Sequence, residues 1–344
     1  MREGLVEIDG TRGEGGGQLL RGALALAAAT GRGFHITQIR RTRSRPGLMR
    51  QHLTAVTAAA AICDANVVGA ELGSTDLTFE PGAVRAGEHA FAIGTAGSCI
   101  LVLQAIVPAL ARLGAPSRIR VSGGTHNPLA PPFEFLRDAL APQLAAIGWN
   151  VEYQLARHGF FPAGGGEVVA SIAPATEAKP LVLVERGERL SHGARIVHAH
   201  LATQIALREL ATLTTKLNWE RDPRALDVIE DSLSPGNVVL ATARYANVTE
   251  VASAIGEREK TAEHVATRCA EAMRRYLRAT APVGEHLLDQ LLVPLALGAG
   301  GRLRAIRWTP HAEAQRELLL AWFGRDLSIA RGDDGVVVDV PAMS

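Results

Sequence analysis

Lysine is almost missing from this chain. Only Lys179, Lys216 and Lys260 interrupt a basic complement that is otherwise arginine. None of the three lies in a glycine-rich, acid-containing motif, which disfavours a lysine-based nucleotidyl transferase. Cysteine is scarce too. Cys63, Cys99 and Cys269 form no C-x-x-C pair, and an odd number in apolar surroundings reads as reduced thiols acting as small core residues. No run approaches the roughly 20 apolar residues of a membrane-spanning helix. The opening MREGLVEIDG has no apolar h-region, so no secretory signal is expected and the cytoplasm is the expected location. Several motifs are also lacking: G-x-x-x-x-G-K-[ST], G-x-G-x-x-G at the first glycine cluster, and the G-x-S-x-G elbow. A net charge of +1 argues against bulk electrostatic binding to nucleic acid.

What is present is an ordinary globular composition, 47% hydrophobic and 21% charged, on 344 residues that can bury a sizeable core. A GC-rich genome, replacing lysine with arginine, accounts for most of the arginine bias. It does not account for clustering: IRRTRSRPGLMR holds Arg40, Arg41, Arg43, Arg45 and Arg50 together. Guanidinium grips phosphate with two hydrogen bonds where lysine offers a point charge.

The chain repeats itself. GLVEID leads through DGTRGEGGG into the helix pattern GQLLRGALALAAATG. Strand FHITQIR, helix PGLMRQHLTAVTAAAAICDA and strands NVVGAEL and DLTFEPG follow. The same order returns in HAFAIG, GSCILVLQAIVPALARLG, SRIRVSGG, PPFEFLRDALAPQLAAIGWN, VEYQLARHGFF and GGEVVASIAPA. A third instance is broken, with LVLVERG as its first strand. Its first helix, GEHLLDQLLVPLALGAG, comes a long way downstream, followed by RLRAIRW, PHAEAQRELLLAWFG, LSIARGD and GVVVDV. Helices rest on apolar spacing with terminal Gly or Pro, strands on short alternating or β-branched runs. The expectation is an α/β (α+β) fold of three βαβαββ units, 1–185 and 278–344. A smaller α/β domain, 186–277, would be inserted in the third, with two helices and the strands NVVLATARY and VTEVASAIG.

Candidate chemistry centres on RWTPHAEAQ. Pro310 suits a first helical turn, which puts His311 beside unpaired N–H groups and the positive end of a helix dipole. Positive potential disfavours imidazolium and favours an incoming phosphate, a setting for nucleophilic attack on phosphorus. A solvated or capping histidine fits the same residues and, on them alone, is the weightier reading. His286, Asp289 and Gln290 share one face of their helix and could hold a triphosphate or ribose, although a solvated face reads identically. Gln104 interrupts an apolar helix and needs a partner in the core or in a ligand. RHGFFPAGGGEV bares its backbone at three consecutive glycines, for a ligand, for another segment or simply for a tight turn. His198 and His200 are expected on one strand face without metal-site spacing.

Taken together, DGTRGEGGGQLLR, RPGLMRQHLTAV, GTAGSCILVLQ, SGGTHNPLAPP, RHGFFPAGGGEV, VGEHLLDQLLVPLAL and TPH resemble the RNA 3'-terminal phosphate cyclases, in their order and across nearly the whole chain. The resemblance implies three units like the C-terminal domain of translation initiation factor three. It also implies ATP as cosubstrate, a divalent cation (Mg or Mn), and RNA 3'-phosphate ends as substrate. His311 would be the adenylated nucleophile. Gln104, Pro131, His286, Leu287, Leu288, Asp289 and Gln290 would bind the nucleotide, and Glu14 would help hold the metal. Arg21, Arg40 and Arg43 would receive the RNA phosphate. Two residues depart from the family pattern: His286 stands where many relatives have tyrosine, and His126 replaces an aspartate. Two other classes compete. A non-catalytic, ribosome-assembly relative would lack the nucleophile, whereas TPH keeps it. An enolpyruvyl transferase would need more lysine.

Overall fold

The computed structural model describes residues 4–12, 17–128 and 130–343. Glu14 lies outside them. The first unit runs β1 (Val6–Asp9), α1 (Gly17–Thr30), β2 (Phe34–Thr37), α2 (Arg50–Cys63), β3 (Asn66–Val68) and β4 (Leu77–Glu80). The second runs β5 (Glu88–Ala92), α3 (Cys99–Leu113) and β6 (Ser117–Gly123). A π-helical stretch, Phe135–Leu140, then leads into α4 (Ala141–Ala146), β7 (Val151–Arg157) and β8 (Gly166–Ile172). Next come β9 (Leu181–Leu183), β10 (Arg189–Ala199), α5 (Thr203–Leu217), β11 (Arg224–Ile229), β12 (Gly236–Tyr245), β13 (Thr249–Ile255) and α6 (Ala262–Arg278). The chain finishes with α7 (Glu285–Leu297), β14 (Gly301–Ala305), α8 (Pro310–Phe323), β15 (Ser328–Gly332) and β16 (Gly335–Val340).

Three sheets share one plan. Their orders are β1-β2-β4-β3, β5-β6-β8-β7 and β9-β14-β16-β15, so each places its first, second, fourth and third strand in that sequence. In every case the first pair is parallel and the others antiparallel. The fourth sheet, β11-β10-β12-β13, lies between β9 and its partner β14 in the chain. It carries α5 and α6 over a separate apolar cluster that includes Ile196, Leu213, Val265 and Met273. Its opposite face, with Val197, Ala199, Val238, Leu240 and Val251, joins the main core.

Helix α1 is apolar on nearly every side, from Leu19 to Ala28, and such a helix must be surrounded by others. It packs against α2, α3, α7 and α8 at the centre of the molecule. Ends are set by local chemistry: Ser98 and Thr309 cap α3 and α8 with side-chain oxygens, and left-handed Gly114 and Gly324 stop them.

Two arginines tie the segments flanking the fourth sheet. Arg186 donates to the carbonyls of Tyr276 and Ala281, and Arg304 donates to Val184 O and to Thr280.

Several local expectations need correction. Helix α2 starts at Arg50, since Pro46 belongs to a loop whose Gly47 is left-handed. The helix expected from Pro131 is π-wound over Phe135–Leu140 before α4. The fourth sheet holds β11, which the sequence reading passed over, and β10, of which only the strand about His198 was expected. His198 and His200 do not share a strand face, because β10 ends at Ala199 and His200 turns left-handed, bonding Ser232 O at 2.7 Å. No helix among the described residues is long and apolar enough to cross a membrane.

Candidate active site

The α1, α3 and α7 helices contribute matching pairs, Arg21/Ala25, Gln104/Pro108 and Gln290/Pro294, each at i and i+4 on one face. All six residues line one partly open cavity. Asp289, Gln18 and Gln315 add polar groups, while Trp149, Tyr153, Leu140 and Leu144 close its apolar side. Three helices, each following the first strand of its sheet, thus meet around one hole.

Its polar lining is under-satisfied. Gln18 Nε2, Gln104 Nε2 and Gln315 Oε1 have no hydrogen-bond partner among the described residues, and Gln18 and Gln315 are only 8% and 6% exposed. Buried amide groups ordinarily find partners, so a cavity with three orphans fits a polar ligand. Arg21 points the same way. Burial lowers its pKa to about 10, which leaves it cationic at neutral pH, and no carboxylate among the described residues pairs with it. An anion is the matching occupant.

His52 stands beside Arg21. A Cβ placed on Gly17 would lie 2.4 Å from His52 Nε2 and 2.9 Å from an Arg21 terminal nitrogen, so the two groups converge on that glycine. Burial, then the charges of Arg21 and Arg40, holds His52 near a pKa of about 3. The neutral ring accepts from Met49 N–H at Nδ1, 3.2 Å away. That leaves Nε2 protonated and makes it a donor beside the guanidinium. Sequence reading missed His52, Gln18 and Gln315. Gln315 was within reach, lying four residues after His311 on the same helix face.

His311 occupies the second position of α8. Thr309 Oγ1 accepts from Ala312 N–H at 2.9 Å and donates to Asp289 Oδ1 at 2.6 Å, so the start of α8 is bolted to α7. Asp289 is 4% exposed. His286 occupies the second position of α7, and the two imidazoles sense each other. Although His286 is exposed, desolvation by its neighbours lowers its pKa, Glu285 opposes this, and His311, Arg307 and Arg275 lower it further.

The other expected residues fall elsewhere. Leu287 and Leu288 are fully buried in the core and fix the position of α7. Pro131 is half-buried just before the π-helical stretch and is not in the cavity lining. Arg40, left-handed at φ 55°, spends one terminal nitrogen on Arg45 O and Gly47 O at 2.7 and 2.9 Å, which fastens the arginine loop. Arg43 is exposed on that loop. His126 is buried, bonded to Thr125 Oγ1 at 2.9 Å and Glu134 Oε2 at 3.0 Å, away from the cavity lining.

A cation, a neutral imidazole and orphaned amides thus meet around this cavity, and the family model described as RNA 3'-terminal phosphate cyclase matches residues 12–329. The chain belongs to that family. Relatives named RNA 3'-terminal phosphate cyclase include one from Pseudomonas fluorescens, 48% identical over 94% of this chain and 93% of its own length. One from Ectopseudomonas mendocina is 43% identical over 98% of both chains, and one from Koribacter versatilis is 46% identical over 92% of this chain and 89% of its own. Among solved structures, the enolpyruvyl transferase NikO from Streptomyces tendae overlaps 99% of this chain and 66% of that one, with a TM-score of 0.27 and 14% identity. So loose an overlap says nothing of function. His311, Gln104 and the His286–Gln290 stretch lie on α8, α3 and α7 respectively.

Proposed function

We propose that this chain is an ATP-dependent RNA 3'-terminal phosphate cyclase. His311 attacks the α-phosphorus of ATP, forming a histidine–AMP bond as pyrophosphate leaves. An RNA 3'-phosphate oxygen then displaces the histidine and takes the AMP, giving an RNA(3')pp(5')A end. The neighbouring 2'-OH attacks the RNA phosphorus, loses its proton and expels AMP, leaving a 2',3'-cyclic phosphate. That hydroxyl is already held next to its target, so the last step gains from proximity. Activation is needed because a phosphate monoester dianion repels nucleophiles and its oxygen leaves poorly.

The observation that carries the reading is the cavity in which Arg21, Gln104, Asp289 and Gln290 meet, beside the α8 start that Asp289 holds through Thr309. In this reading Gln104, Pro131 and His286 to Gln290 serve the nucleotide, Leu287 and Leu288 doing so by fixing the helix. Arg21 binds the RNA phosphate, helped by Arg40 and Arg43 in their loop. A divalent cation, Mg or Mn, would be held with the help of Glu14 and would neutralise phosphate charge. Among the described residues no group of three or more His, Cys, Asp or Glu side chains could hold a metal. Residues 186–277 form an inserted domain in this scheme, residues 1–185 and 278–344 the catalytic body, and the cytoplasm is the working compartment.

The test is incubation with α-labelled ATP and an RNA 3'-phosphate. Wild type should form an acid-labile protein adenylate and a cyclic end; His311→Ala should form neither. Cyclisation at the normal rate by His311→Ala overturns the reading.

A further inference from the structure

Two adjacent phenylalanines behave in opposite ways. Phe160 is 1% exposed, stacked against His126 at 5.6 Å and against His158 at 6.4 Å, and its ring fills the space a Cβ on Gly236 would need. Phe161 is 69% exposed, the highest value among the large apolar side chains of the described residues. Its loop is not loose. Phe160 O accepts from Gly164 N–H at 2.8 Å, and Ala163 N–H donates to Ser234 Oγ at 3.0 Å. Leu233, itself 67% exposed, lies against Gly165, and the exposed Arg157 donates from Nε to Gly165 O. No carboxylate among the described residues pairs with Arg157; the acid opposite it in register, Glu167, is engaged by Arg120 at 3.5 Å.

This patch connects to the anion site through small residues. A Cβ on Gly164 would touch Thr95 O and Ala96 Cα, each at 2.8 Å. The next turn, Gly97–Ser98, rests on Gln51, whose Oε1 accepts from Ser98 N–H at 3.0 Å. Gln51 adjoins His52, the donor beside Arg21. Packing contacts through Gly164, Ala96, Gly97, Gln51 and His52 therefore link the loop of Phe161 to Arg21, and Arg157 fastens the same loop at Gly165.

We propose that Phe161, on the loop that Leu233 and Arg157 meet at Gly165, is a stacking platform for a nucleobase of the RNA strand upstream of the 3'-phosphate. The assignment rests on the cyclase reading for its ligand. A loop braced by its own hydrogen bonds presents the exposed ring, every base offers a π-face to cover it, and the arginine on the same loop suits a phosphodiester. Binding of this kind is tolerant of sequence, as expected for an enzyme whose chemistry involves only the last nucleotide.

The experiment compares wild type, Phe161→Ala and Phe161→Trp. Binding is measured by anisotropy with a labelled oligoribonucleotide 3'-phosphate and by competition with a nucleoside 3'-monophosphate. Phe161→Ala should weaken oligomer binding roughly ten-fold, leave the mononucleotide unchanged and keep the thermal midpoint, while Phe161→Trp restores affinity. Unchanged oligomer affinity in Phe161→Ala overturns the platform, as does equal loss for mononucleotide and oligomer. Adenylation of wild type by ATP tests the cyclase reading separately, since it involves no RNA.

Discussion

The hydroxyl of Thr309 donates to Asp289 Oδ1 at 2.6 Å while accepting the Ala312 N–H at 2.9 Å, so a single oxygen caps α8 and ties it to α7. His311 sits two residues beyond that cap, and its position therefore depends on a contact made on another helix. Replacing Thr309 by Ala removes the cap and leaves a buried carboxylate short of a donor. The expected cost is about 1–2 kcal/mol in stability, read from urea midpoints. A larger relative loss should appear in the rate of protein adenylation. Thr309→Ser keeps the oxygen and should recover most of both; failure of serine to rescue would mean that the methyl group, not the hydrogen bond, places the helix.

A second prediction concerns the anion site. Arg21→Met removes one of the two cations that lower the His52 pKa, so that value should rise from about 3. It should stay below the ordinary 6.5, because burial is the larger cause and is left in place. NMR titration of the ring reads this directly. The same change should weaken binding of an RNA 3'-phosphate about 10- to 100-fold, the value of a charge-assisted hydrogen bond, while leaving ATP-dependent adenylation less affected. An unaltered His52 titration would show that the two groups do not communicate.

Much of this arrangement was readable in the chain, for identifiable reasons. The α1, α3 and α7 helices carry apolar side chains nearly all round, and Gly114 and Gly324 mark ends through left-handed backbone, so these helices surfaced in the sequence. Gln104 stood out because an amide in an apolar helix must be accounted for. Strand β10 was largely opaque. Its second half faces its own helices through Ile196 and His198 and the main core through Val197 and Ala199, so burial on both faces erases the alternation that marks a strand. β11 is a largely exposed edge with little apolar signal. His52 was invisible for a different reason: its meaning comes from Gly17 and Arg21 on another helix, and no local spacing encodes that meeting.

The inserted sheet yields a pH prediction. Glu209 on α5 is 1% exposed, accepts from Asn237 Nδ2 through Oε1, and has no partner for Oε2 among the described residues. Burial raises its pKa to about 7, Asn237 opposes the shift and Glu263 adds to it. Below pH 4.5 the carboxyl is protonated both folded and unfolded, and no penalty exists. As pH rises from 4.5 to 7 the unfolded chain ionises first, so stability falls, and above 7 the penalty is constant at about 3 kcal/mol. Glu209→Gln should therefore be more stable than wild type by up to ~3 kcal/mol at pH 8, with the difference gone near pH 4. Denaturant midpoints at the two pH values check this, and a gap independent of pH would contradict it.

The arginine loop offers a paired test of backbone geometry. Gly47 has φ +77°, and a Cβ there would lie 2.2 Å from Gly73 O, a backbone atom that cannot swing aside. Gly73 has nearly the same torsion, φ +82°, but a Cβ there meets nothing within 4 Å. Gly73→Ala should thus cost only the left-handed penalty of about 1–2 kcal/mol. Gly47→Ala adds the collision, for a total of at least about 3 kcal/mol, since the loop must open to admit the methyl group. Gly47 O accepts from Arg40, and Gly47 N–H donates to Ile39 O at 2.9 Å, so opening the loop releases the arginine cluster as well. Gly47→Ala should then lose RNA 3'-phosphate affinity beyond its stability loss, while Gly73→Ala binds as wild type does. Equal effects of the two substitutions, in thermal midpoint and in anisotropy, would mean that torsion alone matters and that the loop is not braced by the Gly47–Gly73 contact.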